Sequence, residues 1–167
     1  ILESHNSEPD AVNAIEKVLV HRNKKSSSLQ SLFNNLQVQG FELLGDTSFI
    51  ADFPEYLQPI KPLEWSRSFL SKKVAFRYVD SLSEAITWIN RYSSGHADSI
   101  VTESYQESRQ FIQDVNSAVV YINTSPQFSR NPNGGEAVFL GMSNQKGLRQ
   151  GFIGLETLTA VKQVVQG

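Results

Sequence analysis

Short apolar, β-branched runs alternate along this chain with stretches of helical spacing. The runs are "IEKVLVHR" (15–22), "GFELLG" (40–45), "KVAFRYV" (73–79), "SIVT" (99–102), "AVVYINT" (118–124) and "TAVKQVV" (159–165). Each has strand length and strand composition. Between them, Leu29, Leu32, Phe33 and Leu36 recur at i, i+3, i+4 and i+7, and Gly40 offers a stop. Leu82, Ala85, Ile86 and Ile89 repeat that spacing behind Ser81, with Glu84 three residues on, which is the spacing of a capping box. Ser104 and Glu107 stand in the same way before Phe111, Ile112 and Val115. Strands alternating with helices predict an α/β layered domain with a largely parallel sheet. Residues 51–65, with Pro54, Pro59 and Pro62, and "SPQFSRNPNGGEA" (125–137) read as surface excursions.

One connection carries candidate chemistry. "RYSSGHADSI" (91–100) joins the second of these helices to a strand, and its small polar residues surround a histidine and an aspartate. Gly95 gives the backbone freedom for a reversal, and Ser93 and Ser94 can bond back to open carbonyls. His96 and Asp98 are therefore expected to fix the connection, paired with each other or with backbone; catalysis is the other use open to them.

Composition narrows the chemistry. Across 167 residues, 15 Lys and Arg face 17 Asp and Glu, a formal net charge of −2. Near balance and without long single-sign runs, the chain gives no reason to expect nucleic acid or an anionic membrane as partner. The densest basic stretch, "HRNKKSSS" (21–28), reads as a solvated loop. There are no cysteines, which removes disulfides, thiolate catalysis and cysteine metal sites together. His5, His21 and His96 lack metal-ligand spacing, so no metal is expected. The many serines have no nucleophile-elbow pattern, and Trp65 and Trp88 read as core or interface residues. No apolar run reaches the ~18 residues of a membrane span, and no signal peptide opens the chain, so a cytoplasmic location is expected. Opening on Ile1 rather than methionine, the chain reads as a shortened or processed piece.

The same stretches carry a family likeness. "VDSLSEAITWINRYSSGHADSI" (79–100) resembles the signature of the γ-glutamyl phosphate reductases, or glutamate-5-semialdehyde dehydrogenases, a branch of the aldehyde dehydrogenase superfamily; Ala97 stands where that family prefers Ser or Thr. The likeness continues through "IVTE" (100–103), "VNSAVVYINTS" (115–125), "MSNQKG" (142–147) and "GLETLT" (154–159). "VNAIEKVLVHR" (12–22) is similar to the segment holding the family's nucleophile. The resemblance implies the catalytic half of that fold, with a mixed, mainly parallel sheet flanked by helices over residues 1–156. It also implies a C-terminal strand, 157–167, that pairs with a neighbouring subunit, making the chain a homo-oligomer. The β-branched residues around Lys162 independently read as a strand with edges to satisfy. The family's Rossmann-like NADP(H) domain is expected to be absent: no GxGxxG occurs, and "NGGEAVFLG" has neither the preceding strand nor the following helix to replace it. This chain is therefore expected to hold no cofactor of its own.

The implied chemistry is reduction of γ-glutamyl phosphate to glutamate semialdehyde with NADPH, in proline biosynthesis. A cysteine thiolate attacks the acyl phosphate, phosphate leaves, and hydride reduces the thioester. Val12 stands where the likeness places that cysteine, beside a retained Asn13. A valine has no lone pair to attack with. Ser68 occupies the position of a nicotinamide-side glutamate, Gln127 that of an arginine, Phe139 that of a second glutamate, Gln150 that of another arginine and Phe152 that of a proline. Asn123 and Ser125 remain on the substrate-side loop. Fold-making positions are kept while positions for phosphate, cofactor and bond change are lost. The expectation is a scaffold without turnover that acts as a binding or assembly module. The alternative is a fragment or mutant of a working reductase that needs the missing domain and a cysteine at position 12.

Overall fold

The computed structural model describes residues 1–6, 13–24, 26–127 and 151–167. Its elements run α1 (Leu2–His5), β1 (Lys17–His21), α2 (Ser26–Val38), β2 (Glu42–Gly45), α3 (Thr47–Asp52), β3 (Gln58–Pro59), a 3-10 turn (Pro62–Ser66), β4 (Lys73–Val79), α4 (Leu82–Tyr92), β5 (Ala97–Ile100), α5 (Tyr105–Asp114), β6 (Val119–Ile122) and a second 3-10 turn (Leu155–Thr157). One sheet has the order β1-β4-β2-β3; a second is the pair β5-β6. Every pairing among these strands is parallel, as expected of a mainly parallel sheet.

The helical spacing holds. Leu29, Phe33 and Leu36 of α2 are buried against Leu43, Val74 and Phe76 of the larger sheet. The helix stops where Gly40 takes φ +80°, a left-handed turn that glycine adopts without a Cβ clash. Ser81 and Ser104 cap α4 and α5 by accepting the amides of Glu84 and Glu107 at 3.1 and 3.2 Å. The reciprocal half of each box is redirected: the Glu84 carboxylate accepts the Asp80 amide at 2.8 Å, and that of Glu107 accepts the Thr102 hydroxyl. Ile86, Phe111 and Val115 form a second core between α4 and α5.

One expectation needs correction. The proline-rich stretch 51–65 is not an unstructured excursion. Asp46 caps α3 by accepting the Phe49 amide at 2.9 Å, and Phe49, Phe53 and Leu57 are buried. Gln58 and Pro59 then add a two-residue edge strand beside Leu44 and Gly45, a position that tolerates a residue without an N–H. "TAVKQVV" forms no strand within the single chain: residues 159–167 have no helix or strand, and Val161, Val164 and Val165 are exposed.

Candidate functional site

The start of β1 and the loop ahead of β4 meet at a cavity of about 120 Å³ lined by Asn13, Glu16, Ser68, Trp88, Asp98 and Pro126, among others. Val12 lies outside the described residues, as do Phe139 and Gln150. Asn13 is buried, and its Nδ2 donates to the Pro126 carbonyl. That bond ties the segment following position 12 to the loop following β6. Ser68 is exposed and lines the same cavity. The two positions that the likeness singled out from distant parts of the chain therefore face one cavity.

Glu16 organises the Ser68 wall. Its Oε1 accepts the amides of Phe69 and Leu70 at 2.6 and 2.7 Å, and its Oε2 pairs with Lys17 at 2.9 Å. Lys17 in turn donates to the Arg67 carbonyl and lies 4.1 Å from the centroid of the Phe69 ring. Leu70 is held at φ +50°, a left-handed conformation that disfavours a residue with a Cβ. The periodicity of the sequence gives no sign of this clamp, because the two amides that Glu16 captures are more than fifty positions away.

The end of α4, the connection after it and the start of β5 also line this cavity. Gly95 takes φ +69°, and the Ser93 hydroxyl accepts the Gly95 amide at 3.0 Å while donating to Asp98 at 2.8 Å. The Ser117 hydroxyl also donates to Asp98. Asp98 thus joins the end of α4 to the start of β6, while the His96 carbonyl accepts the Val119 amide at 3.2 Å. Asp98 fixes the connection through serine hydroxyls, where the expectation was a bond to His96 or to backbone. Burial pushes the Asp98 carboxyl above its ordinary value, and the Ser117 and Ser93 hydroxyls offset part of that rise.

The sign of this shift gives a prediction. A carboxyl raised in the folded state binds more protons there than in the unfolded chain. Its contribution to stability is present below the unfolded value of about 4 and is lost as pH rises through the folded value. Asp98→Asn is expected to flatten this part of the pH–stability curve. Thermal melts of both proteins between about pH 4 and pH 7 check it; parallel curves contradict it.

Asn123 and Ser125 do not join this cavity. They line a larger cleft of about 880 Å³ that also borders β1 and β5. Asn123, at φ +53°, accepts the Thr102 amide through Oδ1 and donates to the Thr102 carbonyl through Nδ2, both at 2.9 Å. It braces the ends of β5 and β6. Ser125 Oγ is buried without a hydrogen-bond partner. Gln127 is exposed. Trp65 and Trp88 pack edge to face at 5.3 Å and join the first 3-10 turn to α4. Among the described residues, no three His, Asp or Glu side chains gather as a metal site. No described helix is long and apolar enough to cross a membrane.

Comparison with known proteins matches residues 74–164, more than half of the chain, to the aldehyde dehydrogenase family. The chain belongs to that family. Within it, the chain is 53% identical over its whole length to gamma-glutamyl phosphate reductase 2 of Synechocystis sp., covering 40% of that protein. It is 37% identical over 95% of its length to gamma-glutamyl phosphate reductase of Gloeobacter violaceus, covering 38% of that protein. The crystal structure of gamma-glutamyl phosphate reductase from Thermotoga maritima superposes with a TM-score of 0.88 at 31% identity, covering 99% of this chain and 40% of that one. This aldehyde dehydrogenase-family chain is thus a γ-glutamyl phosphate reductase-like domain spanning about two fifths of the length of the curated relatives it matches.

Proposed function

We propose that this domain does not form a covalent acyl-enzyme and serves as a binding or assembly module. The observation carrying this reading is Val12 at the nucleophile position in a chain with no cysteine. The relatives' names specify reduction of an acyl phosphate. In the thiol route to that product a sulfur must displace phosphate from carbon, and a valine side chain offers neither a lone pair nor an ionisable proton. The neighbouring groups support the same reading. The Asn13 amide is engaged by Pro126, and Ser68 presents a hydroxyl where the likeness expects a carboxylate.

The cavity between Asn13 and Ser68 also does not fit a nicotinamide cofactor by itself. At about 120 Å³ it lies well below the ~300–1,000 Å³ of sites for drug-sized ligands. No step through NADPH is assigned to these residues.

The test uses the protein at its natural full length, with NADPH and γ-glutamyl phosphate generated in place. No enzyme-dependent NADPH oxidation or phosphate release is expected. Turnover by a protein that carries Val12 overturns the reading. It would favour the second one, an active reductase using another nucleophile, for which the 53% identity to a protein named as a reductase speaks.

The assembly role is proposed for residues 157–167. Three valines exposed by 78–96% on a β-prone segment leave apolar surface and backbone groups without cover. Pairing with a second subunit covers both, and a two-fold arrangement does so twice. Light scattering on the intact chain and on one cut after Gly154 is expected to show a dimer and a monomer, respectively. Equal masses would remove the role.

A further inference from the structure

The face of α4 turned away from its core carries aromatic rings. The helical period places Trp88 two positions from Ile86, about 200° around the axis, and Ile86 is the residue packed with Phe111 and Val115. Trp88 meets Trp65 of the first 3-10 turn edge-on, at 5.3 Å and 89°. Tyr92, one helical turn on, lies 4.9 Å from Trp88 with its ring tilted by 37°. All three rings are partly exposed. With Arg77, Glu84 and Arg91 they border a groove of about 510 Å³. Trp65, Arg77, Glu84 and Arg91 are not among the residues lining the cavity of Asn13 and Ser68.

The uncommitted polar groups of this groove are donors. Among the described residues, no hydrogen bond engages the indole N–H of Trp65 or of Trp88. Arg77 Nε is buried without a partner, and Nη1 and Nη2 reach Asp46 and Glu84 only at 3.4 and 3.8 Å. Charge-assisted bonds are ordinarily about 2.7–2.9 Å. The carboxylate at hand, Glu84, already accepts the Asp80 amide at 2.8 Å. Two carboxylates beside Arg77 also offset its charge, so a small free anion gains little there. Arg91 differs. It is exposed, lies 5.2 Å from the Tyr92 ring, and no carboxylate among the described residues pairs with it.

An ordinary peptide brings an N–H with every carbonyl, and its N–H groups would find no open acceptor in this groove. An Xaa-Pro bond brings the carbonyl alone, with a pyrrolidine ring that offers an apolar body to an aromatic face. Length agrees as well. Steps of 5.3 and 4.9 Å give the ring series a reach of about one turn of polyproline II helix, which rises ~9 Å. We propose that the groove docks a proline-rich segment of a partner protein, in polyproline II conformation, with an acidic residue beside it. The two indoles donate to its carbonyls, the three rings seat its prolines, and Arg91 pairs with the acidic residue and sets the direction of the segment. Such a segment is extended before it binds, so little ordering entropy opposes docking. The proposal holds whether or not the domain turns substrate over.

Heteronuclear NMR of the indole N–H groups tests it on the protein at natural full length, with Trp65→Phe and Trp88→Phe assigning the two signals. The probe is a blocked peptide of Ala-Pro-Pro repeats ending in glutamate. The controls are the same peptide with every proline replaced by alanine, and phenyl phosphate. The proline peptide is expected to shift both signals and to saturate them below millimolar concentration. Trp88→Phe keeps a ring but lacks the donor, and is expected to weaken binding about tenfold while the Trp65 signal stays at its folded position. Arg91→Glu is expected to reverse the preference for glutamate over lysine at the end of the peptide. No shift with the proline peptide overturns the proposal, including the case in which the rest of the protein covers the groove. An equal response to the alanine control removes proline as the determinant and overturns it too. A response to phenyl phosphate alone would make the groove an anion site instead.

Discussion

Replacing Phe33 by alanine is expected to lower the unfolding free energy by about 3–5 kcal/mol, the range for truncating a fully buried aromatic residue. Phe33 has 0% exposure and meets the rings of Phe76 at 5.0 Å, Phe53 at 5.2 Å and Phe49 at 6.2 Å, all in edge-on geometry. Those rings come from β4, from the end of α3 and from its middle. Because separate elements hold them, they cannot all close on the vacated space, and the cavity term adds to the lost transfer free energy. Domains of this size are stable by only about 5–15 kcal/mol, so the variant should unfold at a much lower denaturant concentration or be partly unfolded. Urea unfolding followed by circular dichroism checks it. A loss below about 1 kcal/mol would mean that α2 is not the keystone of this core.

The same helix illustrates what could be read from residues. Leu29, Phe33 and Leu36 announce α2 because a 3.6-residue period places them on one face, and that face alone meets the sheet. Ser81 and Ser104 announce helix starts because a hydroxyl there accepts an amide that the helix leaves open. Six residues cannot display a period, so α3 went unread, and Asp46 was its only local sign. The proline count around it pointed to solvent, whereas Phe53 and Leu57 bind the stretch to the core. The valines near the C-terminus read as a strand, but a strand needs a partner edge, and no described strand of this chain pairs with them. Site residues divide in the same way. That Asn13 and Ser68 share a cavity came from likeness, not from spacing, while Asn123 and Ser125 belong to a different cleft. Glu16 was missed altogether. A carboxylate that takes backbone amides from a distant loop leaves no pattern in its own neighbourhood.

Glu16→Ala is expected to cost about 2–3 kcal/mol, more than a surface carboxylate normally contributes, and to release the loop that carries Ser68. The side chain is only 10% exposed and accepts two backbone amides, at 2.6 and 2.7 Å. Hydrogen bonds to a charged acceptor are worth about 1.5–3 kcal/mol each, and the amides of Phe69 and Leu70 lose theirs together, so the two losses should not simply add. Lys17 loses its ion pair as well, although its bond to the Arg67 carbonyl still connects β1 to the loop. Glu16→Gln retains one acceptor oxygen without the charge and should lose about half as much. Leu70 separates a clamp from simple packing. Its φ of +50° carries a strain of about 1–2 kcal/mol that persists only while the loop is held. Leu70→Gly relieves that strain in the wild-type background but has little left to relieve once Glu16 is gone. A double-mutant cycle over Glu16→Ala and Leu70→Gly should therefore be non-additive by about 1 kcal/mol, read from urea midpoints at constant slope. Strict additivity would show that Leu70 keeps its backbone conformation without the carboxylate, and that Glu16 contributes to stability without setting the shape of the wall that carries Ser68.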